Sequence, residues 1–331
     1  MQTEIHGGKI LVFGDLHISD VFTGRHKDYL SNCFGILHDI EKRVEMEKPS
    51  AVIFAGDIVG WSETNIRNRE ILSMFLRFWK RLNETCPVFA VRGNHDMKGY
   101  PDFNLLEDLG VLRTPKVIDY YAENGKKLIR FHLVSYGTEH DKLDIDESVN
   151  NVVIGHNNYM ISGCTTWYKA GDGIELSELE NYCGVDIVVS GHIHAPSPEL
   201  YKTTMRDDSE CGLMYLGCPT RPQKETYDAC WIMSFQEENI GGNVEADMST
   251  ILWELKPHEE LYFSDEEVID EISEEELEDI ERKEKLTEVL SDIMKYRMLG
   301  GDPMQQIDSI PNASEKAKNL AKQYLGIVIN N

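Results

Sequence analysis

At 331 residues, with 41% hydrophobic content, the chain is long enough to bury one large core and carry an appendage. No apolar run approaches the ~18 residues a membrane span needs, and the opening MQTEIHGGK lacks a secretory leader pattern, so a soluble, cytoplasmic protein is expected. A formal charge of −25 disfavours unaided binding to nucleic acid, whose phosphates such a surface repels.

In chain order, KILVFGD (9–15), AVIFAGD (51–57) and VFAVRGN (88–94) are short apolar runs that end on a glycine and a polar side chain. Residues 27–47 and 65–84 between them carry helical patterns. In the second, Ile71, Leu72, Phe75, Leu76, Trp79 and Leu82 follow the 3.6 period. Met74 and Phe78 widen that stripe, toward the core or toward a second copy, and a homodimer is the expected assembly. Strand–helix alternation of this kind opens an α/β fold.

Two further runs, VVIGH (152–156) and DIVVSGH (186–192), end in the same way. KKLIRFHLVSYG (126–137), GLMYLGC (212–218), ACWIMSF (229–235) and STILWEL (249–255) read as strands with little helix between them. Polar clusters at the C-terminal ends of buried strands place a site along one rim of a sheet. The seven cysteines are dispersed with no CxxC pair and read as buried, reduced thiols.

Residues 259–285 hold 14 acidic against three basic residues and are helix-compatible from Ser264 onward. Beyond them, residues 284–299 and 314–326 form two short amphipathic patterns, too small to bury a core alone and expected to dock on a partner. The expected division is a catalytic domain over 1–262, an acidic linker or helix over 263–284, and a helical tail over 285–331.

Five motifs share one chemistry: Asp15 and His17 in GDLH, Asp57 in GDIVG, Asn94 and His95 in GNHD, His156 in IGHN, and His192 and His194 in SGHIH. All offer carboxylate, imidazole or amide donors and none is a thiolate, which suits manganese, iron or zinc held by oxygen and nitrogen. Residues two apart on extended backbone point the same way, so Asp15 with His17, and His192 with His194, can each serve one centre. Two ions ~3.5–4 Å apart need a carboxylate that touches both, and Asp57, on the neighbouring βα turn, is the candidate. His95 is the expected general acid, with Asp96 holding its ring. Arg221, in GCPTRP, is a further candidate for meeting a substrate phosphate.

The motif series over residues 9 to about 221 resembles the calcineurin-like metallophosphoesterase superfamily. The resemblance implies a two-sheet sandwich flanked by helices, with two divalent ions at one rim, most simply Mn²⁺, with Mg²⁺, Fe²⁺ or Zn²⁺ as alternatives. One ion would take Asp15, His17, Asp57 and His194; the other would take Asp57, Asn94, His156 and His192. Within the superfamily, residues 215–235 and 285–326 are similar to the SbcD-type nuclease subunit of recombination and repair complexes, in its compact, phage-like form. That likeness implies a DNA exo- and endonuclease whose C-terminal helices dock on an SbcC-type coiled-coil ATPase. Two departures stand out: Val59-Gly60-Trp61 follows the second motif where the family often has an aromatic and an Asp, and a DNA-capping domain is nearly absent. A phosphodiesterase or phosphatase acting on small nucleotides or phosphoproteins is the alternative, and a non-catalytic scaffold a third.

Overall fold

The computed structural model describes residues 3–19, 26–60, 66, 68–97, 101–161, 173–222 and 227–262. These lie in the first of two units into which the chain divides, residues 1–263 and 264–331. The expected acidic segment and helical tail lie outside the described residues.

Two mixed sheets pack face to face. One has five strands, ordered Asn243–Glu254, Ala229–Ile240, Ile10–Phe13, Ala51–Phe54 and Val88–Ala90. The other has seven, ordered Thr3–His6, Val117–Tyr121, Lys127–Val134, Asn150–Gly155, Ile187–Ser190, Glu210–Tyr215 and Tyr201–Thr204. The strands that end on the motifs run parallel to their neighbours, Ile10–Phe13 with Ala51–Phe54 and Asn150–Gly155 with Ile187–Ser190.

Their continuous apolar runs follow from burial on both faces. Ile10, Val12, Ala51 and Ile53 face the core between the sheets, where Val152, Ile154, Ile187 and Val189 meet them. Leu11, Phe13, Val52 and Phe54 point the other way, into a core shared with two helices. Helix Tyr29–Glu47 starts where the Asp28 carboxylate accepts from the Ser31 amide at 2.9 Å. Helix Arg69–Thr85 starts where the Asn68 side chain accepts from the Glu70 amide at 2.9 Å. Its stripe docks Phe75, Phe78, Trp79 and Leu82 on the sheet, each burial contributing about 1.5–3 kcal/mol. Phe78 is therefore core, whereas Met74 is 48% exposed.

The sequence reading misses several elements. Residues 229–235 and 249–255 are parts of one long antiparallel hairpin, Ala229–Ile240 with Asn243–Glu254, turning at Gly241-Gly242 with both φ positive. Strands Thr3–His6 and Val117–Tyr121 and helix Pro101–Asp108 were not expected either. Among the described residues, no helix is long and apolar enough to cross a membrane.

Candidate metal centre

The ends of the parallel strands meet at one rim, and seven donors from five separate loops converge there. Asp15 reaches across the sandwich to accept from the His192 amide at 2.9 Å. Asp57 Oδ1 accepts from the His95 amide at 2.8 Å, while its Oδ2 lies 3.1 Å from His156 Nε2 and 3.5 Å from His17 Nε2. Asn94 Oδ1 sits 3.1 Å from His156 Nε2 and 3.0 Å from His192 Nδ1. His17 and His194 bring their Nε2 atoms to 3.1 Å.

The local backbone is built around this convergence. His17, Asp57 and His192 have φ of 46°, 45° and 74°, a left-handed conformation that costs non-glycine residues of order 1–3 kcal/mol and clusters at functional sites. A Cβ at Gly93 would overlap Asp57 Oδ1, at Gly191 Asp15 Oδ1, and at Gly56 the His156 ring. Glycine thus lets three loops approach three donors. Gly191→Ala is expected to lower folding stability by about 1–3 kcal/mol, the overpacking range, and to reduce metal content. Thermal unfolding and elemental analysis check it, and an unchanged protein would contradict the cradle.

The donor set fits divalent cations. His156 Nδ1 faces the Ala55 carbonyl at 2.7 Å, so its proton belongs there. The Nε2 lone pair then points at oxygens of Asp57 and Asn94, and such a cluster of lone pairs requires a positive charge in its midst, a proton or a metal ion. Asp57 belongs to two compact groupings, with Asp15 and His156 on one side and with His17 and His95 on the other. A carboxylate so placed could serve two ions at once.

Burial pushes His156 down, but the Asp57 and Asp15 carboxylates outweigh it and raise the imidazole to about 10. Burial lifts Asp15 to about 7, with His156 opposing. Burial acts the same way on Asp57, but His156, His17 and His95 together hold that carboxyl well below its ordinary value. Burial lowers His192 to about 4, helped by the charge on His156. A cluster without cations therefore keeps protons near neutral pH, and cations must displace them. Apparent Mn²⁺ affinity is expected to rise as pH increases through about 7, with net proton release. Calorimetric titration in buffers of different ionisation enthalpy checks this, and a buffer-independent heat would contradict it.

Two roles expected from sequence are corrected. Both Asp96 oxygens are taken by backbone amides, from Gly93 at 2.9 Å, Val59 at 3.2 Å and Ile58 at 3.4 Å. Asp96 thus clamps the 57–59 turn to the 93–96 turn that carries His95. Arg221 is fully buried: its guanidinium donates to the Tyr227 carbonyl, to Asp228 and to the Lys256 carbonyl. It fastens the 218–222 loop to the 256–262 segment and does not face a substrate.

His95 is half-buried, its ring 5.0 Å from that of His17, whereas His17 and His156 are closed off from solvent. Two neighbours escape a reading by motif. Tyr136 is 40% exposed with its ring 5.6 Å from His192, and Cys218 shares a compact grouping with His17 and His194. His26 is buried against Tyr29 and Tyr262, and burial, with Arg221 nearby, lowers it to about 4.

Comparison with known proteins gives one family. No curated protein matches the chain. Among solved structures, the chain is 13% identical to a Staphylococcus aureus protein described as a 5′-nucleotidase, covering 78% of this chain and 56% of that one with a TM-score of 0.42. The chain therefore spans little more than half of that protein. It is 11% identical to a dimetal phosphatase from Danio rerio, covering 74% of this chain and 99% of that one with a TM-score of 0.43. Over residues 8–196 the sequence matches the calcineurin-like phosphoesterase family, and the chain belongs to it.

Proposed function

We propose that this metal-dependent phosphoesterase hydrolyses phosphodiesters carrying a nucleoside. The observation that carries the reading is the placement of His95: a partly exposed residue whose ring lies 5.0 Å from that of fully buried His17 and whose amide donates to Asp57 Oδ1. A diester with a poor alkoxide leaving group needs such a proton donor, which contributes typically 10²–10⁴-fold. Asp15, His17, Asp57, Asn94, His156, His192 and His194 would hold two divalent ions. Bound ions of this kind polarise phosphoryl oxygens and make water a nucleophile near neutral pH. His95 delivers a proton to the departing oxygen, Asp96 fixes the turn that carries it, and Tyr136 offers an exposed ring on which a base can stack.

The narrower reading is DNA, cut by an SbcD-type nuclease subunit with Mn²⁺ as the working metal. It rests on the motif order together with the likeness of residues 215–235 and 285–326 to that family. Docking of the C-terminal helices on a coiled-coil ATPase belongs to the same proposal, the partner supplying the cationic surface that this acidic chain lacks. The charge of −25 favours the second reading, in which small nucleotide diesters or monoesters are the substrates, because a small ligand needs no extended cationic track. Manganese-dependent hydrolysis of bis-p-nitrophenyl phosphate, of p-nitrophenyl phosphate and of linear duplex DNA separates these readings. Release of nucleotides from DNA supports the nuclease. Diester hydrolysis without DNA degradation, with the ATPase present, supports the second reading, and turnover of the monoester alone overturns the phosphodiester proposal in favour of the monoesters of the second reading.

A further inference from the structure

We propose that Cys218 is a thiolate ligand of the centre, so that the ion held by His17 and His194 has a sulfur donor beside its imidazole and carboxylate donors. The inference rests on the dinuclear centre but not on the identity of its substrate. The donor motifs contain no sulfur, and the cysteine motif patterns that announce thiolate sites are absent. The fold nevertheless brings a sulfur to the ligands. Cys218 follows strand Glu210–Tyr215, and its amide donates to the His194 carbonyl at 2.9 Å, which pins residue 218 beside the last metal histidine. Gly217 turns the chain there with φ of 86°. The outcome is a compact grouping in which one ring nitrogen of His17, one of His194 and the Cys218 sulfur all lie within 4.8 Å of one another. Cys218 and His17 are fully buried, and His194 is partly exposed.

The neighbours of the sulfur suit this role. Thr220 Oγ1 donates to the Leu16 carbonyl at 2.7 Å, which commits its proton and turns a lone pair toward Cys218 Sγ, 3.4 Å away. Thr220 Oγ1 is thus placed to accept the thiol hydrogen. On binding, the S–H bond breaks, the proton leaves to solvent, and the sulfur lone pair forms the metal bond. No oxidant or reductant takes part.

The chemical consequence is an asymmetric pair of sites. Around Asp57, Asn94, His156 and His192 the donors are oxygen and imidazole, which accept manganese or magnesium. A thiolate selects instead for a borderline-soft ion such as zinc, iron(II) or cobalt(II). The chain would thus hold two different metals in the cell, the softer one next to His17 and His194.

Cobalt reports this directly, because a thiolate on cobalt(II) gives a charge-transfer band in the near ultraviolet that oxygen and nitrogen donors do not give. The full-length protein loaded with two equivalents of cobalt should show the band. Cys218→Ser should lose it while retaining two cobalt ions and their visible absorption, and Cys211→Ser, altered in the outer core, should keep it. In competition, Cys218→Ser should lose zinc affinity by more than the roughly 10–100-fold that loss of an outer-shell partner costs, with Mn²⁺ affinity changed far less. No band in the cobalt-loaded protein, or a band undiminished in Cys218→Ser, overturns the assignment. Failure to take up cobalt at all, seen as absent visible absorption, overturns the centre itself.

Discussion

Changing His95 to alanine is expected to lower kcat toward a phosphodiester by about 10²–10⁴-fold while two ions per chain remain bound. The His95 ring lies 5.0 Å from that of His17, whereas the amide of the same residue donates to Asp57 Oδ1 at 2.8 Å. Alanine keeps that amide, so the carboxylate geometry survives and only the proton donor disappears. The loss should shrink for a substrate with a good leaving group such as p-nitrophenolate, because that oxygen needs no proton in the transition state. Rates on an alkyl and an aryl diester, set beside elemental analysis, make the comparison. An equal loss on both, or loss of metal, would show that His95 is a ligand rather than an acid.

Asp57→Asn should do the opposite, removing metal and with it all measurable turnover. Three groups depend on this carboxylate: His17 at 3.5 Å, His156 at 3.1 Å and the His95 amide. An amide is isosteric, but it carries no charge to offset two dications and replaces one acceptor oxygen with a donor. The loss of metal affinity should exceed the roughly 10–100-fold seen for outer-shell partners, taking stoichiometry from two to one or none. Calorimetric Mn²⁺ titration of the variant measures it. Retention of two ions at unchanged affinity would show that Asp57 is not shared. Together the two variants separate chemistry from metal binding at adjacent positions.

The strands that bear the site were legible because burial on both faces writes them as unbroken apolar runs, each stopping at its donor. KILVFGD and DIVVSGH announce Asp15 and His192 in this way, and the structure brings them to 2.9 Å. The long hairpin was not legible as one unit. Its outer strand Asn243–Glu254 is largely exposed and carries polar residues among the apolar ones, so neither a buried run nor a clean alternation marks it. Its turn did leave a signal, in Gly241-Gly242.

Within the site, residue type foretold donors but not their individual tasks. Asp96 follows His95 in sequence and suggests a partner for the ring, yet the fold spends its carboxylate on three amides. A short loop with several inward-pointing N–H groups needs an acceptor, and the nearest carboxylate fills that need. Arg221 looked like a loop cation because its burial depends on residues 227–256, which only the folded chain brings over it. Cys218 was invisible for a related reason: its nearness to His17 comes from strand order, across about 200 residues of sequence.

Donors from five loops converge so that two cations could share Asp57. Anomalous diffraction from crystals of protein stripped of its resident ions and saturated with manganese, recorded on either side of the manganese absorption edge, is the measurement. Two peaks are expected ~3.5–4 Å apart, flanking the Asp57 carboxylate and reached by His17 and His194 on one side and by Asn94, His156 and His192 on the other. A single peak, or none within reach of these side chains, would contradict the sharing.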